Sequence, residues 1–544
     1  MTSGDSAGPV SAPSGSRGPL ARIGALCGSS VKLAADLASI AVGTSEVRPA
    51  AGDPRFRDPA WTQHPGYRRI GQAYAASCAF ADEAADGLSR TGQAGPAARF
   101  LLTIAQSAAA PTNTLLGNPA AVKRAYETGG LSVLRGLKNM AGDVRHNGGM
   151  PSIVDGSAYQ VGRDFAVTPG AVVDRDPVAE VIQYAPSTEQ VQTRPVLIIP
   201  PPIGRYYFLD LRPGRSMVEY AVGRGLQTFM LSWRNPTREQ ADWTLDTYAG
   251  RVLSAIEAVR EVTGAPDIDV IGFCAGGILT TLALNHLAAV GEKPVHSASY
   301  AVTLLDWGQE VPIKAFSASR LLALARWNSA RAGVISARDM GGAFTWMRPD
   351  DLVWKAWVNN YLMGDKPPAF DILAWNADGT NLPAALHAQF LDIFEHNPLA
   401  TPGRLTCLGT PVDLSTITLP AYITGGVSDH LTPWTSCYQT TQLLGGPSTF
   451  VLSNAGHIQS LVNPPGNPKA VFWTGSSPGP DAQAWLDGAD QHTGTWWTHW
   501  ADWIIASSAG TRPAPSRLGS VSHPPLEDGP GSYVRDRVPA GIEE

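Results

Sequence analysis

One short run constrains this chain more than any other: Asp269-Val270-Ile271-Gly272-Phe273-Cys274-Ala275-Gly276-Gly277-Ile278. An apolar strand leads into it, and an apolar helix beginning at Ile278 leaves it. The spacing Gly-x-nucleophile-x-Gly belongs to a sharp strand–turn–helix elbow. Residues two before and two after the nucleophile must be small because the turn is crowded. Here the nucleophile position holds cysteine where serine is usual. A serine elbow makes an oxygen ester, which commonly ends in hydrolysis. A cysteine elbow makes a thioester, which keeps enough transfer potential to pass an acyl group to a hydroxyl. The first reading is therefore acyl transfer.

The elbow also supplies electrostatics. The backbone N–H of Ala275 points at the reacting carbonyl as half of an oxyanion hole, and a helix N-terminus is a setting that favours thiolate. The competing reading of Cys274 is a buried structural cysteine. Two serine-type matches, Gly4-Asp5-Ser6-Ala7-Gly8 and Gly475-Ser476-Ser477-Pro478-Gly479, lie in a polar tail and a Pro/Gly loop. Neither has a strand before it or a helix after it, so both are set aside.

Composition narrows the classes. The chain has 544 residues, 44% of them hydrophobic, a net charge of -6 and no long charge run. That fits a soluble globular protein and argues against nucleic acid as a partner. Five cysteines, with no CxxC and no His/Cys cluster, argue against zinc and for a reduced, cytoplasmic setting. No charged-then-apolar leader opens the chain. The mildly apolar stretch from Ile23 to Val42 carries Lys32 and Asp36, so it is not expected to span a membrane. Sixteen tryptophans read mainly as core and interface packing.

The chain divides by pattern. Residues 1–20 are Ser/Gly/Pro-rich and read as a disordered tail. Residues 21–185 read as a helical N-terminal domain, with segments near 66–84, 95–108 and 118–142. From 186 to 511, strands alternate with helices. Val196–Ile199, Thr228–Trp233, Ile268–Phe273, Ser299–Leu305, Ala421–Thr424 and Thr449–Leu452 are continuous apolar runs, as expected of a parallel sheet covered on both faces. Leu245, Tyr248, Val252, Ile256, Val259 and Val262 recur at helical spacing before Gly264. The fold class is α/β: an α/β-hydrolase fold with a large inserted cap at about 308–415, preceded by a mainly helical domain. The cap is aromatic-rich, which suits exclusion of water or binding of an apolar acyl chain. Residues 512–544 read as a loose C-terminal tail.

A thiol nucleophile needs a base, and the base an orienting acid. In this fold the order along the chain is nucleophile, acid, histidine. Asp429 follows the strand at 421–424, and His457 follows the last apolar strand. Asp306 competes as acid and His430 as base. His286, His296, His387, His492 and His499 read as structural. The second oxyanion donor is expected in the loop Pro200-Pro201-Pro202-Ile203-Gly204. Proline has no N–H, so Ile203 is the first residue there able to donate.

Many separate blocks in one order resemble the polyhydroxyalkanoate synthases, from about residue 53 to about 517. They include Asp53-Pro54-Arg55-Phe56, Asp58-Pro59-Ala60-Trp61, Glu127-Thr128-Gly129-Gly130, Val167 to Val173, Leu209-Asp210-Leu211 and Ser232-Trp233-Arg234-Asn235-Pro236. The Cys274 elbow, Asp429 to Trp434, Gly456 to Ser460 and Asn463 to Asn467 complete the set. The resemblance implies polymerisation of 3-hydroxyacyl-CoA into polyester through a Cys274-His457-Asp429 triad. It implies no metal and no redox cofactor, a homodimer, a place at the surface of cytoplasmic polymer granules, and possible granule-associated partner proteins. Gly204-Arg205 stands where the family often has Asn-Lys. Phe273-Cys274-Ala275 looks like the short-chain class, whereas Asn359-Asn360-Tyr361 and Leu452 to His457 look like the medium-chain class, to which the chain as a whole is closer. The alternatives are a cysteine acyl-CoA thioesterase on the same scaffold and a non-enzymatic granule scaffold.

Overall fold

All the apolar runs from residue 196 onward enter one sheet. The computed structural model describes residues 19–89, 95–308 and 319–536. The proposed tail at 1–20 and the set-aside match at Gly4 to Gly8 lie almost wholly outside the described residues. The chain forms two units: residues 1–152 with 348–366, and residues 153–347 with 367–544.

The second unit is built on an eleven-stranded sheet. In chain order its strands are β1 (Gly170–Arg175), β2 (Ala179–Tyr184), β3 (Val196–Ile199), β4 (Thr228–Trp233), β5 (Ile268–Phe273) and β6 (Val295–Ala301). Then come β7 (Ala421–Gly426), β8 (Ser448–Ser453), β9 (Val471–Thr474), β10 (Asp490–Thr493) and β11 (Glu527–Asp528). Across the sheet they run β10-β9-β8-β7-β6-β5-β3-β4-β2-β1-β11. Strands β4, β3, β5, β6, β7 and β8 pair in parallel. The flanking pairs are antiparallel.

Side chains alternate between two apolar layers, as a doubly covered sheet requires. Val270 on one face joins the helices Leu245–Thr263 and Ala275–Val290. Ile271 and Phe273 on the other face join Trp496, Trp497 and Trp500 of the helix Trp496–Ser507. All three are core residues, and two keep polar partners: the Trp496 indole donates to Ser460 O at 2.7 Å and that of Trp500 to Ser299 Oγ at 3.1 Å. Gly264 ends the Leu245–Thr263 helix at φ 66°, in the left-handed region glycine tolerates best.

Four boundaries differ from the sequence reading. The helical region ends at His146, not near 185, because residues 170–184 form β1 and β2 of the main sheet. Their alternation was too short to read beside long helices. Strand β6 ends at Ala301 rather than Leu305, because Val302 adopts φ 46° and breaks the extended chain. The inserted segment at 308–415 is not one body, since residues 348–366 group with the N-terminal helices. The described part of the C-terminal segment is not loose: Thr511–Pro513 pairs with Gln190–Gln192, and β11 pairs with β1. His492 lies on β10.

The first unit is helical, with Pro19–Val42, Pro65–Ser89, Gly95–Ala108, Pro119–Glu127 and Leu131–His146 as its longer helices. Segment 348–366 is tied to the last of these. Gly136 lies so close to Tyr361 that a Cβ there would stand 1.9 Å from the Tyr361 carbonyl oxygen. The Tyr361 hydroxyl donates to Asp143 at 2.7 Å, and Asn139 Nδ2 donates to the carbonyls of Asn360 and Asp365 at 2.9 Å. No described helix is long and apolar enough to cross a membrane.

Candidate active site

Cys274 stands between β5 and the helix Ala275–Val290 with φ 49° and ψ -122°. A non-glycine residue with positive φ is strained, and such strain collects at functional turns. The ladder holds it there: Cys274 N donates to Ala301 O at 2.9 Å, and its carbonyl accepts from Thr303 Oγ1 at 3.1 Å. Both flanking glycines are demanded by space. A Cβ on Gly272 would stand 2.6 Å from Gly277 Cα, and one on Gly276 would stand 2.3 Å from Ile199 O. The crowding inferred from the motif is thus physically present. Ala275 is the first helical residue, so its N–H has no acceptor within the helix.

The turn after β7 carries Asp429, and the short helix His457–Leu461 after β8 opens with His457. His457 Nδ1 and Asp429 Oδ2 are 2.7 Å apart, with both side chains buried. Oδ2 also accepts from Thr432 Oγ1 at 2.7 Å, and Oδ1 accepts from the N–H groups of Leu431 and Thr432 at 2.9 Å each. The carboxylate is therefore held by four bonds. The Cys274 thiol is near enough to the same imidazole to act on its titration.

Burial alone would lower the His457 pKa, but the bond to Asp429 and the interaction with Cys274 outweigh it and raise the value to about 10. Burial acts to raise the Asp429 pKa, yet the bonds from His457 and Thr432 hold it below the usual carboxylate value. Each group stabilises the charged form of the other.

The competing residues have other partners. Asp306 accepts from Asn397 Nδ2 and from the Gly308 N–H, at 2.7 Å each. His457, rather than His430, makes the 2.7 Å bond to Asp429. His286 bonds Thr410 at 2.9 Å, His492 bonds Thr474 at 2.7 Å and His499 bonds Tyr422 at 3.2 Å. His387 bonds Ser329 at 2.9 Å, and burial lowers its pKa to about 4.

Ile203 sits in the loop leaving β3, partly buried against the core. Residues around it that the sequence reading missed brace this loop: Trp233 Nε1 donates to Pro200 O at 2.8 Å, and Trp375 Nε1 donates to Arg205 O at 2.7 Å. Thr432 was missed as well. Its signal was the Asp-x-x-Thr spacing of a side-chain-capped turn; that it meets a histidine 25 residues away is visible only in three dimensions.

A family profile described as "Poly-beta-hydroxybutyrate polymerase (PhaC) N-terminus" matches residues 52–221, and one described as "alpha/beta hydrolase fold" matches residues 209–464. Poly(3-hydroxyalkanoate) polymerase 1 of Ectopseudomonas oleovorans is 44% identical over 505 residues, covering 92% of this chain and 90% of its own length. This chain belongs to the poly(3-hydroxyalkanoate) polymerase family. Polymerase 2 of the same organism is 42% identical, covering 93% of this chain and 90% of its own length. The Poly(3-hydroxyalkanoate) polymerase subunit PhaC of Cupriavidus necator is 37% identical, covering 92% and 86%.

The polymerase blocks acquire physical roles here. Asp210 of Leu209-Asp210-Leu211 is buried and accepts from Thr168 at 2.5 Å and Ser216 at 2.7 Å, joining two separate blocks. Asn235 of Ser232 to Pro236 accepts from Asn381 N at 2.9 Å, which anchors part of the inserted segment near the strand ends. Gly204, where the family often has asparagine, has φ 91°. Glycine and asparagine are the residues that enter this left-handed region most readily.

Proposed function

We propose that this chain polymerises (R)-3-hydroxyacyl-CoA into polyhydroxyalkanoate polyester, releasing CoA, through a covalent thioester on Cys274. The observation that carries the reading is the meeting of a strained elbow cysteine with a buried His457–Asp429 pair at 2.7 Å, in a chain 44% identical to a named polymerase over nearly its full length.

The thiol proton passes to His457, and the thiolate attacks the thioester carbonyl of the substrate. The oxyanion is met by the N–H groups of Ala275 and Ile203. The tetrahedral adduct collapses, the carbon–sulfur bond to CoA breaks, and CoA leaves with a proton from His457. This exchange is nearly isoenergetic, so it proceeds only if an acceptor follows. The hydroxyl of a chain end or of a second hydroxyacyl group attacks the acyl-enzyme while His457 takes its proton. An oxygen ester forms, the cysteine–acyl bond breaks and the thiol returns. Asp429 keeps the imidazole oriented and stabilises its protonated form. No step changes oxidation state, so the scheme calls for no redox cofactor, and it uses no metal.

The same reading places the protein as a homodimer at the surface of cytoplasmic polyester granules, in contact with granule-associated proteins and without nucleic acid. Size measurement of the purified protein with and without substrate tests the first point, and imaging of a fluorescent fusion in polymer-forming cells tests the second.

The deciding experiment follows CoA release from (R)-3-hydroxyacyl-CoA of several chain lengths and identifies the acyl product. Insoluble polyester is expected. Free hydroxy acid in equal amount to CoA would make the protein a thioesterase, and no CoA release at any length would make it a scaffold.

A further inference from the structure

Thr380, 2% exposed, lies in the inserted segment and touches the loop after β3 on both sides of one residue. Its Oγ1 donates to Pro202 O at 3.0 Å and accepts from Gly204 N at 2.8 Å. The peptide groups flanking Ile203 are thus held by one hydroxyl. Among the described residues the N–H of the half-buried Ile203 meets no acceptor, so this donor is not used within the fold.

The loop has no freedom to settle elsewhere. Pro200, Pro201 and Pro202 precede Ile203 and remove torsional choice. The Pro200 carbonyl is fixed by the Trp233 indole at 2.8 Å. Gly204 turns at φ 91°, with its Cα side against the Trp375 ring, where a Cβ would stand 3.2 Å away. The start of the loop lies against the elbow helix, since a Cβ on Gly276 would meet Ile199 O at 2.3 Å and Pro200 O at 2.7 Å.

We propose that Thr380 is a positioning residue for acyl transfer: its hydroxyl clamps the peptides on either side of Ile203 and so aims the Ile203 N–H at the oxyanion. This rests on the acyl-transfer reading above. A hydroxyl is suited to the task because it donates and accepts at once. Valine has the same shape and does neither. The hydroxyl comes from the inserted segment, so that segment acts on the transition state through the loop after β3.

Thr380→Val, Thr380→Ser and Cys274→Ala are compared in the full-length protein. Loss of an oxyanion donor costs about 100- to 1000-fold in kcat, and a misdirected one about tenfold or more. The expected result is a kcat for Thr380→Val at least about tenfold below the parent with KM unchanged, and recovery in Thr380→Ser. Alkylation of Cys274 by iodoacetamide, a displacement that forms no oxyanion, is expected to keep its parental rate in Thr380→Val. An unaltered kcat overturns the proposal. So does a parallel loss of alkylation, which would place the damage in the elbow or the fold, or a failure of serine to restore turnover. Retained turnover in Cys274→Ala would instead overturn the cysteine reading on which it stands.

Discussion

Thr432 donates its hydroxyl to Oδ2 of Asp429 at 2.7 Å, the same oxygen that bonds His457. The threonine oxygen also lies 3.1 Å from His457 Nδ1. Acid, base and hydroxyl form one buried cluster in which the carboxylate has no unsatisfied side. Thr432→Val removes one of its bonds without changing volume. A hydrogen bond to a charged group contributes about 1.5–3 kcal/mol, so the variant should unfold more easily by about that amount. Urea unfolding at neutral pH measures it; an unchanged midpoint would show that the hydroxyl is energetically idle.

Removing the nucleophile tests the chemistry directly. Cys274→Ser keeps a similar side chain at the strained turn and should melt at nearly the parental temperature. Serine is the weaker nucleophile and forms a more stable ester, so polymerisation should fall by about a thousandfold or more. Near-normal polymer yield from this variant would remove Cys274 from the reaction.

The His457–Asp429 pair makes stability depend on pH with a definite sign. The His457 pKa is raised from 6.5 to about 10 on folding, so its contribution is complete below 6.5 and is lost as pH rises through about 10. Asp429 is shifted the other way, so its contribution is present above the ordinary carboxylate range and is lost on acidification. The stability gap between the parent and His457→Gln should therefore be widest at mildly acidic pH, above the ordinary carboxylate range and below 6.5, and should shrink through neutrality and close toward pH 10. Denaturant titrations across that range would sink the assignment if the gap stayed constant.

The elbow tolerates no added carbon at Gly276. A Cβ there would stand 2.3 Å from a carbonyl oxygen of β3, and backbone on both sides leaves no flexible neighbour to move. Gly276→Ala should destabilise the second unit by about 1–3 kcal/mol or more and lower the alkylation rate of Cys274. A variant with parental melting and labelling would mean that the contact relaxes at little cost.

The first unit has its own such contact. Gly136→Ala would push a methyl carbon into the Tyr361 carbonyl and should loosen residues 348–366 from the helix Leu131–His146. Limited proteolysis should then cut within 348–366 sooner than in the parent. Equal protection in both proteins would contradict this account of what holds the segment.

Much of the site was legible because its signals are local. The elbow is a contiguous motif whose glycines are required by contacts within the turn and with the strand beside it. Asp429 and His457 were placed by the order of strands, since each follows an apolar run ending at the same edge of a parallel sheet. Strands β1 and β2 were missed because they are short and antiparallel and follow a long helical region. Segment 348–366 was assigned to the inserted cap because chain order was the only guide. Its attachment depends on Gly136, Asn139 and Asp143, more than 200 residues earlier in sequence.

The sequence by itself singled out Cys274, Asp429 and His457 as candidates for nucleophile, acid and base, and it determined the kind of fold. These follow from side-chain chemistry and from patterns that repeat within a few residues. Only the tertiary structure decided that His457 rather than His430 bonds Asp429, that Thr432 completes the carboxylate's shell, and that Thr380 grips the peptides around Ile203. A hydrogen bond depends on a few tenths of an ångström between atoms far apart along the chain, and that separation is set by packing of the whole unit rather than by any local run of residues.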